Sequence, residues 1–284
     1  YVYRIDSKSL LSLIGSYKGW EANVALLYTH IQDHTVAQAD AMQKLTPMFL
    51  LSYKKDGWIF RAFHKRIFRA PTLNDLYYTL VGNTKLNPEY TSQWDAGIDY
   101  KGKRFHFAVD GYYNHIDDKI VAIPMKCQFR WSMVNFGKVK SYGASFSGGY
   151  NQDWGKFSLA ANANYTYQID KDYTMPSDPE YKNYIPYSPM HSGSVILDLG
   201  YDSYSLCTSF LYTGERFALV SNNADDLLGD WYTIDLKLNK RFKIGKHVLQ
   251  TTLECNNLAD SRHEVVKRYP MPGRNWKCTV KFEL

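Results

Sequence analysis

Apolar and polar side chains alternate with a period of two along most of the chain. The C-terminal segment shows the alternation best, with apolar residues at Trp276, Cys278, Val280, Phe282 and Leu284 and polar residues between them. A segment with this period has one apolar and one polar face, which is typical of a β-strand that separates two different environments. No segment carries a helical period, so the pattern predicts an all-β protein.

The alternation predicts thirteen strands, and the segments between them are of two kinds. The strands lie near residues 7–17, 21–31, 44–54, 58–68, 90–101, 103–116, 136–151, 155–168, 190–201, 203–213, 230–242, 247–258 and 273–284. Short turns occur at 18–19, 54–57, 101–103, 151–155, 201–203 and 243–246. Long loops occur at 32–43, 69–89, 117–135, 169–189, 214–229 and 259–272, and they alternate strictly with the short turns.

Strict alternation of short and long connections is typical of transmembrane β-barrels, which have short periplasmic turns and long extracellular loops. A soluble sandwich has no reason to keep its long loops at one end. We therefore predict an antiparallel transmembrane β-barrel. Single-chain bacterial barrels have an even number of strands, whereas thirteen strands that finish in the periplasm place Tyr1 outside the cell. We expect that further strands precede this chain, which would then begin in an extracellular loop.

The composition agrees with a barrel. Hydrophobic residues make up 45% and the mean hydropathy is -0.42, and no apolar run approaches the ~18 residues of a spanning helix. Aromatic residues make up 16%, with 24 Tyr, and Tyr and Trp suit the membrane–water boundary. A Tyr-rich soluble sandwich is the alternative on composition alone. The net charge of +6 includes no dense basic tract, so we expect no nucleic-acid partner, whereas basic residues near the outer leaflet can meet lipopolysaccharide phosphates.

The sequence contains no signature of catalysis. It lacks a Gly-x-Ser-x-Gly motif and a phosphate-binding Gly-Lys-Ser/Thr loop, and His263-Glu264 is not followed by the second His of a zinc protease. We therefore predict neither an enzyme nor a cofactor. The four cysteines are Cys127, Cys207, Cys255 and Cys278. They match no metal or redox spacing, and we interpret them as packing residues, with Cys255 and Cys278 on one face of the sheet and Cys207 on the other.

One loop contains a short acidic cluster of Asp225, Asp226 and Asp230. Calcium prefers such oxygen-rich loops, but the spacing matches no complete calcium motif and a solvated loop explains it as well. We predict no metal site.

The loop 69–89 has the most distinctive sequence. Pro71 and Pro88 are expected to end the flanking strands, because proline cannot donate to a ladder, and Gly82-Asn83 is a turn signal. Aromatic faces and amides in extracellular loops can stack on and orient a ligand. Our candidates for ligand contact are Asn74, Tyr77, Tyr78, Arg130 and Trp131. The alternative is that these residues pack the loops onto the barrel mouth.

Several segments resemble motifs of TonB-dependent outer-membrane receptors. The family boxes correspond to Phe68, Arg69, Ala70 and Pro71, and to Gly82, Asn83, Leu86, Pro88 and Glu89. Residues 110–114, 135–139 and 256–260 resemble later segments of these receptors, so the likeness runs from about residue 44 to the end. The sequence of these segments is most similar to that of the cobalamin (vitamin B12) receptors of Bacteroidetes.

The resemblance implies that residues 1–284 are the C-terminal portion of a 22-stranded barrel, without its N-terminal plug domain. It implies a receptor that captures a scarce, large solute and imports it into the periplasm with energy transmitted by TonB through the plug. Cobalamin is the favoured ligand. A ferric siderophore or haem is the alternative, although residues 72–82 lack the His that haem receptors often have there and His64 lies upstream. A surface lipoprotein is a possible partner.

Two other classes of function stay open. A surface adhesin would bind a macromolecule through loops 117–135 and 169–189, and an outer-membrane enzyme would need a Ser–His or Asp–His pair at the rim. For all three classes the C-terminal alternation is the expected signal for barrel assembly, carried by Trp276, Val280, Phe282 and Leu284.

Overall fold

The computed structural model describes residues 2–34, 41–124 and 131–283. Thirteen strands form one antiparallel sheet in which each strand pairs with its predecessor in this order. The strands are β1 (Tyr3–Tyr17), β2 (Trp20–His34), β3 (Met42–Lys55), β4 (Trp58–Arg69), β5 (Glu89–Lys101), β6 (Phe105–Pro124), β7 (Trp131–Trp154), β8 (Phe157–Asp172), β9 (His191–Tyr201), β10 (Tyr204–Thr213), β13 (Trp231–Ile244), β14 (His247–Asn256) and β17 (Asn275–Glu283). All thirteen predicted strands are confirmed.

The remaining elements are short and lie in the long connections. They are the helix α1 (Leu73–Tyr77), the hairpin of β11 (Arg216–Phe217) and β12 (Leu227–Leu228) with a 3-10 turn at Ala224–Asp226, and the hairpin of β15 (Glu264–Val266) and β16 (Tyr269–Pro270). The all-β prediction is confirmed, and the five residues of α1 are too few to show a helical period in the sequence. Among the residues that the structure describes, no helix is long and apolar enough to cross a membrane.

The short turns have the backbone that tight hairpins require. Lys18 and Gly19 both have positive φ, at 46° and 88°, as do Asp56 and Gly57 at 49° and 85°. Two successive residues with positive φ give the turn whose twist matches that of the flanking strands. A side chain at Gly19 would also lie 2.7 Å from the carbonyl oxygen of Lys54. Glycine is therefore required at this turn.

The pairing register separates the two faces of the sheet. One row across β3–β6 contains Leu51, Ala62, Ala96 and Gly111, and the adjacent row on the opposite face contains Ser52, Arg61, Gly97 and Asp110. On the polar face, Arg61 forms ion pairs with both Asp99 and Asp110. The register also confirms that Cys255 and Cys278 share the apolar face and that Cys207 lies on the polar one, and these three thiols are free.

Aromatic residues form two belts on the apolar face. The belt near the short turns includes Tyr17, Trp20, Tyr53, Trp58, Tyr100, Trp154, Tyr201 and Tyr204, and the opposite belt includes Tyr28, Trp94, Tyr113, Tyr142, Tyr165, Tyr232 and Trp276. Neighbouring strands bring the rings together, as in the pair Trp20–Tyr53 with ring centroids 4.8 Å apart. Trp94 and Tyr100 lie six residues apart on β5, or about 20 Å at ~3.4 Å per residue. This separation suits the ~25 Å apolar band of a membrane barrel.

The predicted loop 117–135 is wrong over most of its length. β6 continues to Pro124 and β7 begins at Trp131, so the two strands extend as a hairpin beyond the aromatic belt. The sequence Ile120–Ile123 is apolar throughout because the extended hairpin is covered on both sides by neighbouring loops. A strand that is buried on both faces loses the alternation that reveals half-buried strands. Cys127 and Arg130 lie outside the described residues.

The outer edges of the sheet have no partner among the described residues, because the strand order begins at β1 and ends at β17. Every residue of β17 is exposed and nearly every residue of β1. Unpaired backbone N–H and C=O groups at a sheet edge are unfavourable in the hydrocarbon core of a membrane, since no water is present there to form hydrogen bonds with them. Both edges are therefore open to pairing with another strand.

Candidate ligand-binding rim

The long connections all emerge at the end of the sheet away from the short turns, and we call them together the rim. Its described parts are residues 70–88, 117–124, 131–135, 173–190, 214–230 and 257–274. Side chains that bind backbone groups tie most segments to the next, and apolar contacts join the β6–β7 hairpin to segment 173–190. The rim is therefore an ordered layer above the barrel wall.

The segment 70–88 is built around α1, which begins with a reciprocal cap. Thr72 Oγ1 accepts the backbone N–H of Asp75 at 3.0 Å, and Asp75 Oδ2 accepts that of Thr72 at 2.9 Å. This capping box satisfies two donors that the helix itself leaves free. After the helix, the backbone N–H of Gly82 donates to the carbonyl of Tyr78 at 2.7 Å. A Cβ at Gly82 would lie 2.7 Å from Tyr78 N, so only glycine allows this approach.

The charged motif residues hold the two ends of this segment together. Arg69 lies 3.4 Å from Glu89 and 3.7 Å from Asp75, measured between guanidinium nitrogens and carboxylate oxygens. Glu89 Oε2 also accepts the backbone N–H of Ile120 at 3.0 Å. Pro71 is almost fully buried, and its carbonyl accepts Arg4 Nη1 at 2.6 Å. These residues fix the segment against β1 and the extended hairpin. As predicted, the flanking strands stop at Arg69 and resume at Glu89.

The amide motif residues fasten the segment to the β6–β7 hairpin. Asn83 Nδ2 donates to the carbonyl of Met133 at 3.0 Å, and the backbone N–H of Met133 donates to the carbonyl of Val81 at 3.0 Å. The side chain of Asn135 makes two hydrogen bonds to the backbone of Asn87. Its Nδ2 donates to the carbonyl at 3.1 Å, and its Oδ1 accepts the N–H at 2.8 Å. Beneath these bonds an apolar cluster forms from Leu76, Leu86, Ile120 and Met133. The motif residues thus contribute to holding the loop on the β6–β7 hairpin.

The structure separates the predicted ligand-contact residues. Tyr77 and Tyr78 point outward from α1 with 39% and 63% of their surface exposed, and Asn74 is exposed beside them. Trp131 is half-buried and packs against Tyr187 with ring centroids 5.7 Å apart. It lines a cavity whose described walls include none of the other three. Arg130 lies outside the described residues, and ligand contact by any of these residues stays a prediction.

The segments 173–190 and 214–230 are joined through Asn222. Its Oδ1 accepts the backbone N–H of Tyr184 at 2.6 Å, and its Nδ2 donates to the carbonyl of Tyr184 at 3.1 Å. Asn183 returns the contact by donating to the carbonyl of Val220 at 2.9 Å. An apolar cluster of Ile116, Phe136, Val139 and Ile185 lies next to this junction, with Val220 packed against it. Asn222 has a φ of 51°, a conformation that Asn tolerates better than most residues.

The acidic cluster is dispersed into separate contacts. Asp226 is buried and lies 3.0 Å from Lys267 Nζ, and Asp230 accepts the hydroxyl of Tyr212 at 3.3 Å. Lys267 Nζ also donates to the carbonyl of Asp225 at 2.6 Å, which ties segment 214–230 to segment 257–274. In the described ranges no group of three or more His, Cys, Asp or Glu side chains is arranged to hold a metal ion.

A cavity of about 360 Å³, which no pattern in the sequence predicted, lies at the inner side of the rim. Its walls are Ala122, Trp131, Pro186, Tyr187, Pro189, Thr213, Arg216, Trp231, Val265 and Val266. Arg216 is only 4% exposed, and burial lowers the pKa of its guanidinium, just as burial raises the pKa of the Tyr187 phenol. A lone arginine in a loop is ordinarily solvated, so nothing in the sequence around Arg216 indicated its burial.

These features match a known family. The family model described as TonB dependent receptor-like, beta-barrel, matches residues 10–258. This match covers far more than half of the chain, and the chain therefore belongs to the TonB-dependent receptor β-barrel family. Barrels of this family lie in the outer membrane, so the apolar face of the sheet contacts lipid and the polar face lines the interior.

Individual relatives are distant in sequence and close in fold. The vitamin B12 transporter BtuB of Vibrio vulnificus (strain YJ016) is 23% identical over 220 residues, which are 76% of this chain and 33% of that protein. The ferric citrate transporter FecA superposes with a TM-score of 0.74 at 14% identity, over 96% of this chain and 44% of that one. The FrpB iron transporter of Neisseria meningitidis (F3-3 variant) gives a TM-score of 0.71 at 15% identity, over 98% and 45%. The chain spans less than half the length of each.

Proposed function

We propose that this chain is the C-terminal portion of an outer-membrane transport receptor, and that its rim captures a scarce, large solute for import into the periplasm. The observation that carries the proposal is the ordered rim on a barrel wall of the TonB-dependent receptor family. Transport of this kind needs capture and passage and no chemical change in the solute, so the proposal includes no enzymatic step.

The proposed receptor contains parts that this chain does not supply. The free edges of β1 and β17 are proposed to pair with front strands, and the polar face with Arg61, Asp99 and Asp110 to surround a plug. TonB would transmit energy through that plug. A surface lipoprotein covering the rim is a further proposal, supported by the exposed apolar side chain of Leu80 in segment 70–88.

Cobalamin is the proposed solute. The support comes from the resemblance of the motif boxes and from BtuB, which is a vitamin B12 transporter by name. A ferric complex is the second candidate, since FecA and FrpB are named as iron transporters and their folds match over nearly the whole chain. Tyr77 and Tyr78, exposed on α1, are proposed to contact either solute.

The test is an uptake assay on the full-length receptor in a host that lacks its own cobalamin receptor. We expect TonB-dependent uptake of radiolabelled cyanocobalamin and none of ferric citrate. The reverse preference would favour the ferric alternative, and no TonB-dependent uptake of either would refute the proposed function.

A matched pair of variants locates the contact. Changing Tyr77 and Tyr78 to Ala should weaken cyanocobalamin binding by about 2–10-fold per residue, because an aromatic contact contributes roughly 0.5–1.5 kcal/mol. Tyr201→Ala, in the belt at the opposite end of the barrel, removes the same side chain and should leave binding unchanged.

A further inference from the structure

The cavity at the inner side of the rim has the size and lining of a small-molecule site. Its volume is about 360 Å³, within the ~300–1,000 Å³ of ligand pockets, which are largely apolar with a few polar groups. Three aromatic side chains, Trp131, Tyr187 and Trp231, form much of its wall. Trp131 and Tyr187 pack on each other, and Trp231 is held by a stacked contact with His263 at 4.2 Å.

Arg216 gives this cavity an uncompensated positive charge. Its guanidinium donates to three backbone carbonyls, those of Gly229 at 3.2 Å, Glu264 at 2.5 Å and Val265 at 3.2 Å. These bonds satisfy donors but carry no formal charge. No carboxylate forms an ion pair with Arg216 in the described part of the chain. A buried charge without a counterion is costly, and proteins ordinarily pair it.

Two acidic residues near Tyr187 in the cavity wall have other partners. Glu264 Oε2 accepts the backbone N–H of Arg268 at 2.6 Å, although the carbonyl of the same residue binds Arg216. Asp226 is paired with Lys267. Neither of these two carboxylates therefore neutralises Arg216.

A second donor in the cavity wall lacks a partner. The Nε1 atom of Trp231 is buried and makes no hydrogen bond, although a buried indole N–H usually finds an acceptor. Trp231 and Thr213 face each other across β10 and β13, on the polar side that lines the interior. The charge and the free donor therefore belong to one cavity on the interior side of the sheet.

We propose that this cavity binds an oxyanion, a carboxylate or a phosphate, carried on a flat apolar body. The oxyanion neutralises Arg216 and accepts the N–H of Trp231, while the flat body lies against Trp131 and Tyr187. The inference rests on the proposed function in one respect, because it assigns this chemistry to the imported solute.

The test uses two probes and the purified full-length receptor in detergent, titrated by calorimetry against a detergent blank. Naphthoate supplies the oxyanion on a flat body, and naphthalenemethanol has the same body without charge. We expect naphthoate to bind the wild type at least ten-fold more tightly, about 1.4 kcal/mol. Equal affinity for the two probes would overturn the proposal, and so would displacement of naphthoate by an equal concentration of inorganic phosphate.

Variants test whether Arg216 and the N–H of Trp231 cause the preference for naphthoate over naphthalenemethanol. In Arg216→Gln, the ratio of the affinities for naphthoate and naphthalenemethanol should fall close to one. Arg216→Lys loses the same hydrogen bonds to the carbonyls but keeps the positive charge. It should therefore still bind naphthoate more tightly. Trp231→Phe should weaken naphthoate several-fold without affecting naphthalenemethanol. Trp94→Phe, on the lipid-facing side, is the matched control and should change neither. A naphthoate preference that survives in Arg216→Gln would overturn the proposal even if the variant imports nothing.

The two proposals fail in different ways. A wild-type receptor that imports neither cyanocobalamin nor a ferric complex would refute the proposed function, while the naphthoate titration would still decide the oxyanion site. A receptor that imports its solute normally but binds both probes equally would refute the oxyanion site alone.

Discussion

Asn222 should decide whether segments 173–190 and 214–230 move as one unit. Two hydrogen bonds join it to the backbone of Tyr184, one through Oδ1 and one through Nδ2. At roughly 0.5–1.5 kcal/mol each, their loss in Asn222→Gly should lower the free energy of local opening by about 1–3 kcal/mol. Asn222→Ala should cost about 1–2 kcal/mol more, since its φ of 51° is unfavourable for a residue with an ordinary Cβ.

Hydrogen exchange measures this opening directly, because the amide of Tyr184 donates to the Asn222 side chain. Local opening speeds exchange without global unfolding, and each ~1.4 kcal/mol corresponds to about ten-fold. We expect about 5–150-fold faster exchange at Tyr184 in Asn222→Gly and faster still in Asn222→Ala. Asn222→Asp retains the acceptor and removes the donor, so the Tyr184 amide should stay closer to the wild-type rate.

Two results would refute this reasoning. Unchanged exchange at Tyr184 in Asn222→Gly would mean that the apolar cluster around Ile185 alone holds the junction. A uniform acceleration across the amides of β7 and β8 would mean that the variant destabilises the barrel wall.

Three further predictions concern the loop, the wall and the last strand. Gly82→Ala should release segment 70–88, because its Cβ would lie 2.7 Å from a backbone nitrogen; limited proteolysis of that segment should accelerate, and an unchanged digestion pattern would contradict the steric argument. Phe146→Arg, on the lipid-facing side, should cost about 2–4 kcal/mol and lower the yield of heat-modifiable barrel in the outer membrane. Ser147→Arg, one residue along on the interior side, should assemble much as the wild type does, and equal yields of the two would argue against the assigned faces. Removing residues 282–284 should prevent insertion, and normal membrane levels of the truncated protein would show that the signal lies elsewhere.

The wall of the barrel was predictable from sequence because each strand contacts two different environments. Every second residue of the segment 276–284 is apolar, and this period of two does not depend on the conformation of the loops. Turn chemistry set the ends, since Lys18-Gly19 and the flanking prolines of segment 70–88 each act locally. Local signals are what a single sequence reports most directly.

The rim was less predictable because its order comes from contacts between distant segments. α1 left one local trace, the Thr72-x-x-Asp75 capping box, which was overlooked in a segment too short for periodicity. The extended hairpin lost its alternation by burial on both sides. Arg216 contacts residues 13 to 49 positions away, so neither its burial nor its lack of a counterion could be inferred from its neighbours in sequence.

The ties within the rim share a feature that bears on how such receptors diversify. Asn83, Asn135, Asn222 and Arg216 all donate from their side chains to main-chain carbonyls of the neighbouring segment. Every residue has a main-chain carbonyl, so these hydrogen bonds do not depend on which amino acid occupies the accepting position. The accepting positions can therefore be substituted without loss of the hydrogen bonds that hold the loops. A receptor with this construction can change the residues that face its solute while a few anchoring side chains keep the rim in the same conformation.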